Sequence, residues 1–398
     1  MSTSKFPLAI MGGEPVRSPE KAWPAWPIFD NTEREALLEV FDSGNWWFGD
    51  KVAQFEREYA EYQGANCCVS CVNGTVALEL LVQAYDIGPG DEVIVPPYTF
   101  YATSSCVSRF GATPVFVDID ESWCINPNLI EAAITDKTKA IIPVHFGGRI
   151  CDMDVIMDIA NRHNLVVIED ACHSWGAKWK GRGAGVLGHA GVLSFQNNKN
   201  MTAGEGGAIV TDDQGLAIKL QSLTHSGRLP DKSQLEYYDV GTNARITEMQ
   251  AALLSAQLKR MPEHHARRIE TGDRLTEALS AIDGIKIQPV DERQSDRSWH
   301  IFCMTIDPDT FGCSRDRAVE AIVAEGFPVG PGYPLPLHRQ PIYLQMGGFE
   351  DVSCPNSEDL CDRIGMWFSH TYLLGSDEDI DDIIQIFEKV KRHAADLA

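Results

Sequence analysis

The sequence predicts an α/β protein in which a large domain, built on a mostly parallel sheet, is followed by a smaller α+β domain. Two observations predict this. Between Cys67 and Asp213 short apolar runs alternate with amphipathic helical runs, the pattern of parallel strands covered by helices on both faces. Near Gln250 that alternation stops and a long helical run takes over. The length of 398 residues agrees, since it exceeds what one hydrophobic core ordinarily organises.

The elements follow in chain order. Residues 1–30 are rich in Pro and Trp ("KAWPAWPIFD") and read as an N-terminal arm. "NTEREALLEVFDSG" has helical spacing with Asn31 as its cap. "CCVSCV" is strand-like and "TVALELLVQAYD" helical; "DEVIVPPYTF" is a strand and "ATSSCVSRFG" a helix; "TPVFVDID" is a strand and "NPNLIEAAIT" a helix. "KAIIPVHF" is a strand, "DMDVIMDIANRHN" a helix, and "LVVIED", "GVLSFQ" and "GGAIVTDD" are strands. The run from Glu248 to about Leu279 reads as long helix, broken or kinked at Pro262. Strand-like "WHIFCMTID" and helical "SRDRAVEAIVAEG" and "DEDIDDIIQIFEKVKRHA" complete the chain. The domains expected are the arm at 1–30, a large domain at 31–260 and a small one at 261–398.

A formal net charge of -23 argues against a nucleic-acid partner, which requires basic patches. No apolar run approaches the ~20 residues of a membrane span. The N-terminus lacks the apolar stretch of a signal peptide, and the 11 cysteines are scattered, so the thiols read as reduced and the location as cytoplasmic. "CCVSC" at Cys67–Cys71 contains a C-x-x-C, but no second pair at zinc spacing accompanies it; these are structural cysteines, and no metal site is expected.

Three features fall at the carboxyl ends of predicted strands, where ligands gather in such sheets. Gly74 and Thr75 open a helix directly after a strand, which suits either a bound phosphate or a plain helix cap. Asp170 closes a buried strand, with His173 three residues on; a carboxylate there holds a proton on a ring nitrogen, binds a metal or caps a turn. Finally, "SFQNNKNMTAGEGG" supplies the hydroxyl of Ser194 and one amine, Lys199, followed by glycines that let backbone pass close to a ligand. A nucleotide P-loop places its lysine after the glycines, so this is not one. A phosphate cradle, an aspartate for a ring nitrogen and a lone lysine together specify pyridoxal 5'-phosphate. An amine attacks an aldehyde only when neutral, so the pocket must disfavour its charge.

The motifs "NGTVALEL", "VPPYTFYATS", "PVHFGG", "IEDACHSWGA", "SFQNNKNMTAGEGGAIVTDD" and "GTNARITEMQAALL" occur in order, and over nearly its whole length the chain resembles the DegT/StrS family of pyridoxal-phosphate-dependent sugar and cyclitol aminotransferases, of the aspartate-aminotransferase-like fold type I. The resemblance implies that Lys199 is the Schiff-base lysine and proton shuttle, that Asp170 pairs with the pyridinium nitrogen, and that His173 lies beside the cofactor's phenolic oxygen. It implies phosphate contacts from Gly74, Thr75 and Ser194, ring stacking by Phe100, and an Asn243 that reaches the phosphate of a partner subunit, hence a homodimer with shared sites. Trp47, His145, Gln196, Arg228 and Tyr333 are candidates for the acceptor pocket by their place near matched motifs. "WPAWPIFDNTEREALLEVFDSGNWW" and "WFSHTYLLG" look most like the branch holding 3-amino-5-hydroxybenzoate synthase, with the scyllo-inosose aminotransferases close by. "GYPLPLHRQPIYLQ" reads more like the aminotransferases. The implied activity is transfer of an amino group from glutamine or glutamate to a keto-sugar or keto-cyclitol. The alternatives are a synthase-like dehydratase and a non-enzymatic regulator.

Overall fold

Thirteen strands are present in the computed structural model, which describes residues 7–229, 232–233 and 235–397. They are β1 (Cys67–Cys71), β2 (Glu92–Val95), β3 (Thr113–Phe116), β4 (Thr138–Ile141), β5 (Val166–Asp170), β6 (Lys178–Trp179), β7 (Arg182–Gly183), β8 (Ala190–Ser194), β9 (Gly207–Thr211), β10 (Ile285–Ile287), β11 (Gln294–Asp296), β12 (Ile301–Ile306) and β13 (Gly365–Ser369). Seven of them form the central sheet in the order β1-β9-β8-β5-β4-β2-β3. Strand β9 runs antiparallel to both neighbours, and the other pairings are parallel. The mostly parallel sheet inferred from the apolar runs is thus present. Its middle strands are buried on both faces, which is why β8 and β9 are wholly apolar or small apart from a terminal Ser or Thr.

Helices α1 (Asn31–Ser43), α2 (Asp50–Gln63), α3 (Gly74–Ala84) and α4 (Ala102–Arg109) lie in the first third of the chain. The cap of α1 is Asp30 rather than the expected Asn31: its carboxylate accepts from Thr32 N–H while Glu33 reaches back to the Asp30 N–H. The helix expected across "NPNLIEAAIT" shortens to Pro127–Ile130 and a 3-10 turn at Glu131–Ala133, because Ile134 turns extended ahead of β4.

The break expected at Pro262 does not occur. One helix of 33 residues, Glu248–Ser280, runs through it. A proline inside a helix costs about 3 kcal/mol. Burial of Leu254, Met261, Leu275 and Leu279 offsets that, at about 1.5–3 kcal/mol for each large apolar side chain. Leu254 and Met261 belong to the core under the central sheet, whereas Leu275 and Leu279 belong to the core of the C-terminal lobe. The helix therefore enters both, and the boundary drawn at 260/261 falls within it.

In the C-terminal lobe β12 is flanked by β10 and β13, both antiparallel to it. The helices Arg315–Ala324 and Asp377–Arg392 contribute Ala318, Ile322, Ile383 and Phe387 to its core. Residues 1–6 of the arm lie outside the described residues. The following stretch docks on this lobe: Leu8 is buried in its core, and Arg17 reaches Asp379 at 2.8 Å and Asp382 at 2.7 Å. Among the described residues no helix is long and apolar enough to cross a membrane.

Candidate active site

Strands β5 and β8 are parallel neighbours, so Asp170 and Ser194 emerge at the same sheet edge. There they line a cavity of about 540 Å³ with Gly74, Thr75, Phe100, His173, Gln196, Lys199 and Tyr333. A larger groove of about 1010 Å³ lies along α1, but its carboxylates Asp30 and Glu33 are already paired with Arg260 at 2.6 Å. The groups free to do chemistry are in the smaller cavity.

Asp170 is held as an acceptor. Its Oδ2 accepts from Thr103 Oγ1 at 2.8 Å and its Oδ1 from Cys172 N–H at 3.2 Å. Thr99 lies four residues before Thr103, in the bend that leads into α4, and their hydroxyls are 3.1 Å apart. His173 is buried, and burial together with the nearby Lys199 amine holds its ring well below the ordinary histidine pKa. Its Nδ1 accepts from Gly147 N–H at 3.3 Å, so the proton of the neutral ring sits on Nε2. Lys199 follows β8 in a tight loop, its N–H donating to Gln196 C=O at 2.9 Å. Burial lowers the pKa of its amine, while Cys172 and Asp170 act in the opposite sense. The amine lies 5.9 Å from the centre of the Trp175 ring.

The start of α3 combines both readings of its sequence. The cap is Asn73, whose side chain accepts from Val76 N–H at 2.9 Å. That leaves the N–H groups of Gly74 and Thr75 at the open end of the helix, beside the Ser194 hydroxyl. A Cβ on Gly74 would stand 3.0 Å from Ser194 Cβ and 3.1 Å from Cys172 Sγ, so only glycine keeps this cradle open. A phosphate fits its donors, and Asp170 and the exposed Phe100 line the same cavity, where a flat ring would lie. Tyr98, by contrast, is packed among Trp123, Phe146, Tyr333 and Trp367.

Three residues expected in the acceptor pocket, His145, Trp47 and Arg228, do not line this cavity, and neither does Asn243, which is expected to act from a partner subunit. His145 follows Val144, which does line it, and successive side chains of extended backbone point to opposite sides. His145 is fully buried behind the sheet, its Nε2 2.8 Å from Glu169 Oε2. Trp47 is exposed and carries the Arg245 guanidinium 5.3 Å from its ring centre. Arg228 packs over Tyr237 at 5.5 Å. Asn243 is exposed and bridged to His225, against which Phe48 packs at 4.4 Å. These last three share one outer face of the chain.

Sequence reasoning missed Thr103, Cys172, Asn198, Glu205, His300 and Trp367, all of which reach the cavity or its walls. The spacing of Thr99 and Thr103 was a usable signal for the first. His300 and Trp367 come from the C-terminal lobe and carry no local signature. Among the described residues no cluster of His, Cys, Asp and Glu could hold a metal ion.

Residues 27–388 match the DegT/DnrJ/EryC1/StrS aminotransferase family. The chain belongs to this family. It is 36% identical to a putative L-glutamine:3-amino-2,3-dideoxy-scyllo-inosose aminotransferase of Streptoalloteichus tenebrarius, across 97% of this chain and 98% of that one. It is also 36% identical to the 3-amino-5-hydroxybenzoate synthase of Amycolatopsis mediterranei, across 93% of this chain and 97% of that one. The crystal structure of a 3-amino-5-hydroxybenzoic acid synthase superposes with a TM-score of 0.87 at 35% identity, covering 93% of this chain and 99% of the other. The aminotransferase is thus a fold type I, pyridoxal-phosphate-dependent enzyme, as its motifs implied.

Proposed function

We propose that this enzyme moves an amino group from L-glutamine or L-glutamate to the ketone of a sugar or cyclitol. The observation that carries the reading is the convergence of Lys199, Asp170 and His173 on one cavity beside an open helix start. Its relatives named as glutamine-dependent aminotransferases of scyllo-inosose derivatives support the choice of donor and acceptor.

Pyridoxal phosphate, when bound, supplies the electron sink. The N–H groups of Gly74 and Thr75, with the hydroxyls of Thr75 and Ser194, would hold its phosphate. Asp170, aligned by Thr103 and Cys172 N–H, would keep a proton on the ring nitrogen. His173 would offer its Nε2–H to the ring oxygen, and Phe100 would cover the ring face. Lys199 Nζ, whose charged form burial disfavours, would take the α-proton of the donor and later deliver one to the acceptor carbon.

The outer face bearing Trp47, Arg228 and Asn243 also exposes Phe41, Trp46, Tyr237 and Val240. Large apolar side chains left exposed in this number favour a contact surface. We assign it to a second copy of the chain, whose Asn243 then reaches the first copy's phosphate cradle, in a cytoplasmic homodimer.

The test is spectroscopic. The loaded enzyme shows a visible band that glutamine or glutamate bleaches, and a panel of keto-sugars and keto-cyclitols is scanned for the compound that restores it. No bleaching with either donor sinks the reading. An aromatic ultraviolet product from an amino-cyclohexenone acid selects the synthase chemistry instead.

A further inference from the structure

The loop carrying Lys199 is gripped from outside on both sides of the lysine. Before it, Asn197 C=O accepts from Trp26 Nε1 at 2.8 Å and Asn198 C=O from His370 Nε2 at 3.1 Å. After it, Asn200 Oδ1 accepts from His300 Nδ1 at 2.8 Å, while Asn200 Nδ2 donates to Ser298 C=O at 2.9 Å. The gripping groups belong to the arm and the C-terminal lobe, and they pack on one another. Trp26 meets His370 edge-on at 4.6 Å, His370 stacks on His300 at 5.5 Å, and His300 lies 4.3 Å from His173.

Behind this column sits Arg268, fully buried and, among the described residues, without a carboxylate partner. Its Nη2 donates to His370 Nδ1 at 3.0 Å. That bond fixes the His370 proton on Nε2, the atom that meets Asn198 C=O. Burial and the Arg268 charge both hold His370 well below the ordinary histidine pKa, so the ring stays a neutral donor.

We propose that His370 is a positioning residue for Lys199: backed by Arg268 and stacked on His300, it fixes the peptide beside the lysine and closes the amine off from water. This rests on Lys199 being the reacting amine. The titratable groups facing that amine are Asp170 and Cys172 after β5, His173 beyond them, and His300 and His370 from the C-terminal lobe. Those facing His370 are Arg268, His264, His300 and Lys199. With the grip lost, water reaches the amine, its pKa climbs back toward the ordinary lysine value, and less of it is neutral at a given pH.

The experiment follows the visible band as the full chain, freed of cofactor, is mixed with pyridoxal phosphate between pH 6 and 10. His370→Phe keeps the ring but loses both bonds. The pair His370→Phe with Arg268→Met also removes the stranded buried charge, so that it folds even where the single variant does not. Band formation at pH 7 is expected to slow about tenfold or more in the pair, with its pH midpoint raised by about one unit. His370→Gln, which keeps a donor toward Asn198, should recover a rate within about threefold of wild type. Unchanged rate and midpoint in the pair, whatever its melting temperature, overturn the proposal, and so does failure of His370→Gln to recover the rate. A wild-type chain that gives no band, or a Lys199→Ala chain that does, overturns the underlying assignment of Lys199 instead.

Discussion

Thr103 Oγ1 donates to Asp170 Oδ2 at 2.8 Å, across 67 positions of sequence. The hydroxyl on α4 thereby sets the direction in which the β5 carboxylate presents its lone pairs. A hydrogen bond to a charged group contributes about 1.5–3 kcal/mol. Thr103→Val should lower turnover of the glutamine half-reaction about tenfold to a hundredfold, and Thr103→Ser should retain it. Turnover of the valine variant within twofold of wild type would show that Asp170 is aligned without this bond.

Lys199→Ala removes the group that moves the proton. Turnover should drop by about four orders of magnitude or more. The melting temperature should hold or rise, because burying an amine opposes folding. Circular dichroism with a multiple-turnover assay checks both halves, and retained multiple turnover would falsify the role.

Gly74→Ala places a methyl 3.0 Å from Ser194 Cβ and 3.1 Å from Cys172 Sγ. These contacts are tighter than van der Waals and occupy the phosphate cradle. Cofactor affinity, titrated by the visible band, should fall about tenfold while stability changes by no more than about 1 kcal/mol. An affinity equal to wild type would move the phosphate elsewhere.

His265 lies on the long helix with neither ring nitrogen partnered. Burial brings its pKa down from 6.5 to about 4, against the pull of Asp296, and Arg268 and Lys178 act with burial. Between those two values the unfolded chain binds a proton that the folded chain refuses. Stability from this site is therefore complete above pH 6.5 and declines as pH falls toward 4. Melting curves should show that decline in wild type and a smaller one in His265→Phe; equal slopes would rule it out.

The parts of the site legible in the sequence were those written locally. A strand, its terminal carboxylate and a helix opening on glycine occur within short windows, so Asp170, Ser194, Lys199, Gly74 and Thr75 could be placed before any coordinates. What was not legible depends on chain paths. His300 and Trp367 meet the cavity because β12 and β13 fold back over it, and no periodicity announces that. His145 was misplaced by one step of backbone alternation, since its neighbour Val144 takes the cavity side. Pro262 was overweighted because its local penalty is visible in the sequence and the burial that offsets it is not.

The helix Glu248–Ser280 anchors one end in each hydrophobic core. A shared rod of this kind couples the two lobes mechanically: neither can melt without stripping one end of it, so calorimetry should record a single endotherm.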